Sequence, residues 1–263
     1  MERNKRRILL VSLIYFLLSL PTLLSGFRGV FLSFWLTFYI FYKYKFNHKI
    51  SFKSLVIIII LVSLVSLYIS YIRENPSTTE ISLSDNFLLE FLKQQGVSFF
   101  VTAMAIEFYD EFADKILNYL MWEPIGSIFS HLLSLPGRSF ANDLTIKINY
   151  NAFSLGYGTG SSYLAEAYLL GGPFVVSLIS LFLGFILSKL FIRFGYSNVF
   201  IKILIFTLIQ FIIYLPRDLL LMPLSVTLKT GIYVLITYIL FTVFKNILLI
   251  KKGESNENTF SIK

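Results

Sequence analysis

Six stretches of the chain are apolar over a length that can cross a lipid bilayer. A membrane-spanning helix needs about 20 predominantly apolar residues, within a range of about 17–25. The stretches that meet this requirement are Ile8–Leu24, Gly29–Phe46, Leu55–Ile72, Pro173–Ile192, Val199–Leu215 and Ile232–Ile250. The pattern therefore predicts an all-α fold, a polytopic transmembrane helical bundle of about six spans.

A long segment, Arg73–Ser161, separates the third predicted span from the fourth. It is not an ordinary polar domain, because Val97–Phe108 and Ile125–Leu135 are rich in apolar residues but too short to cross a bilayer. We interpret these stretches as short interfacial helices that lie against the membrane surface. The alternative is a re-entrant segment or a strongly tilted seventh crossing. An extra single crossing would move everything that follows to the opposite side of the membrane and break the charge pattern.

Composition agrees with a membrane protein and excludes several other classes. Of the 263 residues, 56% are hydrophobic and 14% are charged, against about 25% charged in typical soluble domains. Soluble, disordered and fibrous proteins are therefore excluded. The chain has no cysteine, and its two histidines are His48 and His131, so we expect neither a metal site nor a cofactor.

The basic residues predict the orientation of the spans. The net charge is +8, and 15 of the 23 basic residues would lie on one side of the membrane. These are Arg3, Lys5, Arg6, Arg7, Lys43, Lys45, Lys49, Lys53, Lys189, Arg193, Lys202, Lys245, Lys251, Lys252 and Lys263. The positive-inside rule makes this side cytoplasmic, together with both termini.

The same topology divides the chain into four parts. We expect an N-terminal group of three spans over 1–72 and an extracytoplasmic segment with amphipathic helices over 73–161. A C-terminal group of three spans follows over 162–252, and a polar, disordered cytoplasmic tail over 253–263. The extracytoplasmic assignment agrees with the charge of Arg73–Ser161, which holds ten acidic and five basic residues.

Away from their ends, the predicted spans contain no Asp, Glu, Lys, Arg or His; the lysines within these ranges lie near a span end. Ionisable residues inside the membrane usually mark proton relays and ion pathways, so their absence argues against ion-coupled transport. Chemistry is expected instead at the outer face. The first candidate there is Arg28, in the sequence Ser-Gly-Phe-Arg-Gly at 25–29. Flanking glycines leave its guanidinium accessible, although an arginine that reaches lipid phosphates would look the same.

The second candidate is a glycine-rich loop at 156–162 that leads into a helix. Ser162 is the expected N-cap, which places Glu166 one turn inside the helix, and Gly171-Gly172-Pro173 is predicted to break or kink it. A loop of this kind at a helix N-terminus is an anion-binding geometry. The alternative is a simple turn with a carboxylate near the positive end of the helix dipole.

The third candidate is Pro216-Arg217-Asp218, which follows the fifth predicted span. Its alternative interpretation is a local ion pair or helix cap of little energetic weight. A fourth and weaker candidate is Arg138, in the sequence Leu-Pro-Gly-Arg-Ser.

In order and spacing, these motifs resemble the Wzy-type O-antigen or oligosaccharide repeat-unit polymerases. The resemblance rests on Ser-Gly-Phe-Arg-Gly at 25–29, Gln-Gly-Val-Ser at 95–98 and Gly-Thr-Gly-Ser-Ser-Tyr-Leu-Ala-Glu-Ala-Tyr at 158–168. Arg217 and the leucines after it complete the match. Because family members usually have more spans, this chain would be a short or truncated member.

The resemblance implies a metal-independent glycosyltransferase of the bacterial inner membrane. It would move a glycan chain from undecaprenyl pyrophosphate onto a lipid-linked repeat unit at the periplasmic face, with a chain-length regulator as a further partner and no nucleic acid. The expected catalytic residues are Arg28, Arg217, Glu166 and Asp218, and either carboxylate is a candidate base. The expected substrate-binding residues are Arg138, Tyr157, Gly158, Gly160, Ser161 and Tyr168.

Three other functions compete with polymerisation. An O-antigen ligase would share the arginines but use a different acceptor. A flippase or permease for lipid-linked oligosaccharides would need a hydrophilic cavity, for which the spans offer only scattered Ser, Thr, Tyr and Gln210. A non-catalytic membrane protein is the third.

Overall fold

A computed structural model describes the chain at residues 10, 12–17, 19–21, 28–45, 53, 56, 57, 60, 96–122, 126, 139–156 and 158–260. Every regular element in these ranges is a helix, which confirms the predicted all-α class. The third predicted span, Leu55–Ile72, falls largely outside the described residues, and so do Arg138 and Tyr157.

The helices are numbered along the chain. They are α1 (Arg28–Lys45), α2 (Val97–Glu107), α3 (Tyr109–Phe112), α4 (116–122), α5 (Phe140–Ile148), α6 (Tyr150–Ser154), α7 (Tyr163–Tyr196), α8 (Val199–Tyr214) and α9 (Met222–Phe260). Two short 3₁₀ helices complete the order: Ala113–Lys115 connects α3 to α4, and Leu215–Arg217 extends α8.

Within the described part of the chain, three helices are long and apolar enough to cross a membrane. They cover Tyr163–Tyr196, Val199–Arg217 and Met222–Phe244, which correspond to the fourth, fifth and sixth predicted spans. The helix of the sixth span begins at Met222, ten residues before the predicted Ile232, because Thr227, Lys229 and Thr230 interrupt the apolar pattern but not the helix. Helix α1 coincides with the second predicted span. The total of six spans stays a prediction.

Helix α8 lies at the centre of the membrane helices. Its Ile205 and Ile209 are buried together with Phe41 of α1, and Phe191 and Phe194 of α7 pack against them. The rings of Phe41 and Phe194 lie 3.9 Å apart between centroids. In contrast, the spans in α7 and α9 keep their most apolar windows exposed. Exposed apolar faces of this kind suit contact with lipid.

Helix α7 bends back on itself at Gly171 and Gly172, which both have non-helical backbone angles. In a straight helix, residues 163 and 180 would lie about 26 Å apart. The hydroxyls of Tyr163 and Ser180 are instead 3.2 Å apart. The predicted break is therefore confirmed, and it divides α7 into a short arm (163–170) and a long arm (173–196). The long arm begins with Pro173, which is favoured at a helix start.

The short arm packs into a small core with helices of the 96–156 region. Val101, Phe112, Phe140, Leu144 and Leu169 are all at most 2% exposed in this core. The opposite side of the same helices exposes large apolar side chains, among them Phe99, Leu117 and Met121. The predicted short apolar helix at Val97–Phe108 is thus present as α2, with one face buried against protein, whereas Ile125–Leu135 lies outside the described residues except for Gly126. Their contact with the outer leaflet stays a prediction.

The polar end of the chain differs from expectation. Residues 253–260, predicted as a disordered tail, continue α9 as helix to Phe260. Extending an existing helix costs far less than starting one, and Lys251, Lys252, Glu254 and Glu257 at this end of α9 are good helix formers.

Candidate functional site

Glu166 lies in the first turn of the short arm and is 1% exposed. Ser162 caps this helix as predicted, because its Oγ accepts a hydrogen bond from the N–H of Leu164. The two carboxylate oxygens of Glu166 have separate partners. Ser161 Oγ donates to Oε1 at 2.8 Å, and the backbone N–H of Leu220 donates to Oε2 at 2.8 Å. Both hydrogen bonds compensate the carboxylate for its loss of water.

The loop before the short arm is tied to helix α5. The backbone N–H of Thr159 donates to Thr145 Oγ1 at 3.0 Å, and the two threonine hydroxyls lie 3.0 Å apart. Gly160 has a φ of +74°, a conformation that glycine adopts without strain. The loop that carries Ser161 and Ser162 is therefore anchored to a helix of the preceding region.

The turn between α8 and α9 brings a second carboxylate to the same place. Leu219 N–H donates to Oδ1 of Asp218 at 2.9 Å, and the next N–H along the chain, that of Leu220, binds Glu166. Two consecutive backbone amides thus hold two carboxylates, and the charge of Asp218 acts on Glu166. Burial raises the pKa of Asp218 from 3.8 to about 6, while the Leu219 hydrogen bond acts to lower it. Arg217 precedes this pair and is exposed.

The start of α1 reaches the same end of the bundle. Gly29 packs so closely against the ring of Tyr214 that any side chain at position 29 would collide with it. Tyr214 in turn lies within electrostatic range of Arg217 and Asp218. Arg28, the first residue of α1, is therefore at the end of the bundle where the carboxylates meet. The structure does not describe its side chain.

Three predicted sites therefore converge, although they are far apart in sequence. Glu166 and Asp218 meet on the 218–220 turn, Arg217 adjoins them, and the backbone of α1 begins beside Tyr214. Helices α7, α8 and α1 supply one part each. This combination offers carboxylates for proton transfer and an arginine for binding an anionic group.

Four of the six predicted substrate-binding residues are described by the structure, and they divide into three groups. Gly158 and Gly160 lie in the loop and are exposed. Ser161 is buried and donates to Glu166, so its hydroxyl orients the carboxylate. Tyr168 points toward the 96–156 helices, where its ring meets that of Tyr109 edge to face at 5.9 Å. The substrate-binding role of these residues stays a prediction.

Sequence reasoning missed three participants, namely Tyr214, Thr145 and the amide of Leu220. Tyr214 ends α8 two residues before a proline, a position with a weak signal for a helix end. Thr145 and Leu220 carry no local signal, since their roles depend on partners 14 and 54 residues away. Within the ranges that the structure describes, no group of three or more His, Asp or Glu residues is placed to hold a metal ion.

Comparison with known proteins gives one match. The family model described as O-antigen polysaccharide polymerase Wzy matches residues 2–252 of the 263. No curated protein and no solved structure matches the chain.

Proposed function

The chain belongs to the O-antigen polysaccharide polymerase Wzy family, a family of membrane enzymes that polymerise lipid-linked repeat units, and from this we propose a specific reaction for it. It transfers a glycan chain from undecaprenyl pyrophosphate onto the sugar of a lipid-linked repeat unit, at the periplasmic face of the bacterial inner membrane. The observation that carries the proposal is the pairing of Glu166 and Asp218 by two consecutive amides beside Arg217.

In this reaction an acceptor hydroxyl attacks the anomeric carbon of the donor chain. The bond between that carbon and the pyrophosphate oxygen breaks, and undecaprenyl pyrophosphate leaves with the bonding electrons. Arg217 is exposed at the end of α8, where a lipid-linked pyrophosphate would lie. Its planar guanidinium binds phosphate oxygens in a bidentate manner and stabilises the charge that develops on the leaving group. We assign Arg28 to the same task, from the position of its backbone.

We assign Asp218 as the general base that takes the proton of the acceptor hydroxyl. Its side chain is half-buried, and among the described residues its hydrogen bond engages Oδ1. A pKa of about 6 leaves the carboxylate ionised at neutral pH yet more basic than an ordinary aspartate. Glu166 is 1% exposed with both oxygens engaged, so we assign it as a positioning residue that holds the 218–220 turn.

Complementation tests this reaction. The chain is expressed in a strain that lacks its polymerase and makes the matching repeat unit, and the polysaccharide ladder is examined. We expect long chains with the wild-type protein and their loss with Arg217→Ala or Arg28→Ala at equal protein levels. Arg193→Ala is the matched control, because Arg193 is exposed at the opposite end of α7. Unchanged chain length in both arginine variants would refute the assignment.

A second strain, which lacks its ligase, separates polymerisation from ligation. A ligase joins finished chains to a different acceptor and leaves the number of repeats unchanged. We therefore expect no rescue when the chain is expressed in a strain that lacks its ligase. Rescue there, without a ladder in the polymerase-deficient strain, would replace our proposal with ligation.

A further inference from the structure

A concave site lies on the 96–156 helices, and neither Glu166 nor Asp218 lines it. It has a volume of about 340 Å³ and is lined by Lys115, Asn118, Tyr119, Trp122 and Asp143. The first four come from one side of the helical stretch that ends in α4, where Lys115 and Trp122 lie three or four residues from the adjacent Asn118 and Tyr119. Asp143 lines the same pocket from α5. This volume lies at the low end of the range of small-molecule pockets.

The lining combines an aromatic surface with both kinds of hydrogen-bonding group. Trp122 is 50% exposed, so its ring offers an open apolar surface and an indole N–H. The exposed Asn118 amide donates and accepts, the Asp143 carboxylate accepts, and the Lys115 ammonium donates. A pyranose needs this combination, since it has an apolar C–H face and a rim of hydroxyls.

The chemistry is less suited to other ligands. A carboxylate in the lining repels phosphate, and a lysine beside a single carboxylate disfavours a metal cation. An acyl chain would leave several polar groups without partners. Tyr119 OH donates to Asp143 Oδ2 at 2.5 Å, so the carboxylate is already oriented before a ligand arrives.

Helix α5 connects this pocket to the carboxylate pair. Asp143 lines the pocket, whereas Thr145, two residues later, binds the loop that leads to Ser161 and Glu166. Tyr119 belongs to the same buried core as Ala165 and Leu169 of the short arm. The pocket is thus built on the same packed unit as Glu166.

We propose that this pocket is a saccharide subsite, which holds one sugar of the lipid-linked glycan while a neighbouring part of the glycan lies at the carboxylate pair. The sugar stacks on Trp122 and places hydroxyls against Asp143 and Asn118. The choice of a glycan as ligand rests on the proposed polymerase function. The sugar belongs either to the growing chain or to the single repeat unit, which present the same chemistry.

Tryptophan fluorescence provides a direct test. The chain has two tryptophans, and Trp35→Phe leaves Trp122 as the single emitter. Trp35 is suited to replacement, because its buried Nε1 has no hydrogen-bond partner among the described residues. The full-length Trp35→Phe protein in nanodiscs is titrated with the lipid-free single repeat unit of the producing strain. In a second arm, it is titrated with a lipid-free chain of many repeats.

We expect a saturable change in emission in at least one arm, and the tighter arm identifies the source of the sugar. Asn118→Ala and Asp143→Asn should each weaken the apparent affinity at least tenfold. The control Lys147→Ala should leave it within twofold, because Lys147 is also on α5 but pairs with Glu111 outside the pocket. Asn118 is exposed, so its variant tests the site even if Asp143→Asn fails to fold.

No saturable change in either arm, or unchanged affinity in Asn118→Ala, would overturn the subsite. Failure of the subsite and failure of the polymerase assignment are distinguishable. If the wild-type chain restores no ladder in the polymerase-deficient strain but fluorescence binding depends on Asn118, the subsite stands and the reaction does not. If Asp218→Asn abolishes the ladder while Asn118→Ala binds normally, the reaction stands and the subsite does not.

Discussion

Glu166 and Asp218 carry the same functional group in different surroundings, and this difference separates their roles. Glu166 has two hydrogen bonds and almost no exposed surface, whereas Asp218 is half-buried beside an exposed arginine. A carboxylate with both oxygens engaged is well suited to hold neighbouring backbone. One that keeps access to solvent and ligand is better suited to exchange a proton.

The pH dependence of polymerisation should report Asp218. Its pKa is raised to about 6, so it becomes protonated, and inactive as a base, as the pH falls through 6. Burial also raises the pKa of the neighbouring Glu166, to about 7, so Glu166 titrates in the same range, and Arg217 is the positive charge beside the pair. We expect the rate to rise between about pH 5 and pH 7 in proteoliposomes that contain the lipid-linked repeat unit. Asp218→Asn should lower the rate about 10²–10⁴-fold and remove the part of the rise that is centred near pH 6.

The exposed Asp114→Asn provides the matched control and should behave as wild type. A rise with the same midpoint in Asp218→Asn would assign the titration to another group, and Asp218 would lose its role as base.

Ser161→Ala should destabilise the protein, since it removes one of the two hydrogen bonds to a buried carboxylate. We expect a loss of about 1–3 kcal/mol in the free energy of unfolding, visible as a lower thermal midpoint in detergent. Ser177→Ala is the control, because the Ser177 hydroxyl binds a carbonyl of its own helix at an exposed position. Its effect should stay within about 0.5 kcal/mol. Equal stability of the two variants would show that Ser161 does not support Glu166.

At the scale of elements, the bend in α7 decides where Glu166 lies. If the helix continued straight, Glu166 would be carried away from the 218–220 turn instead of lying against it. Gly172 has φ +68° and ψ −160°, a combination found essentially only in glycine. The local break is therefore a requirement of the site, in addition to being the start of a span.

Gly172→Ala isolates this requirement, because a methyl group there would meet no atom within 4 Å. Its cost is therefore conformational, about 1–3 kcal/mol. We expect loss of polymer as the short arm shifts away from Leu220. Gly184→Ala is the control, since it adds a methyl in equally open space within the regular long arm. Polymer of normal length from Gly172→Ala, at wild-type stability, would contradict a structural role for the bend.

At the scale of the molecule, the two ends of the bundle differ in the charged residues that they carry. The carboxylate pair, the 96–156 core and the start of α1 share one end. The turn from α7 to α8, with Lys189, Arg193 and Lys202 around it, lies at the other. The positive-inside rule predicts that this second end is cytoplasmic.

Single cysteines can test this topology, because the chain has none of its own. Leu155 and Tyr196 are 75% and 91% exposed and lie at the two ends. We expect a membrane-impermeant maleimide to label Leu155→Cys in intact spheroplasts, and to label Tyr196→Cys only after permeabilisation. The reverse pattern would place the carboxylate pair in the cytoplasm and exclude a periplasmic reaction.

The sequence by itself determined the class of protein, the helices of the last three spans, the Ser162 cap and the Gly171–Gly172 break. These features depend on hydropathy and backbone preference over a few neighbouring residues. It also identified Arg217, Glu166 and Asp218 as candidates, because ionisable residues are rare beside such apolar stretches.

Only the tertiary structure decided how these candidates combine. The partner of Glu166 is a backbone amide 54 residues away, and an amide has no residue signature that a pattern can reveal. The fold-back of α7, the contact of Gly29 with Tyr214 and the pocket between α4 and α5 likewise depend on packing between distant segments. Residue types thus limited the chemistry that is available, and packing selected which groups act together.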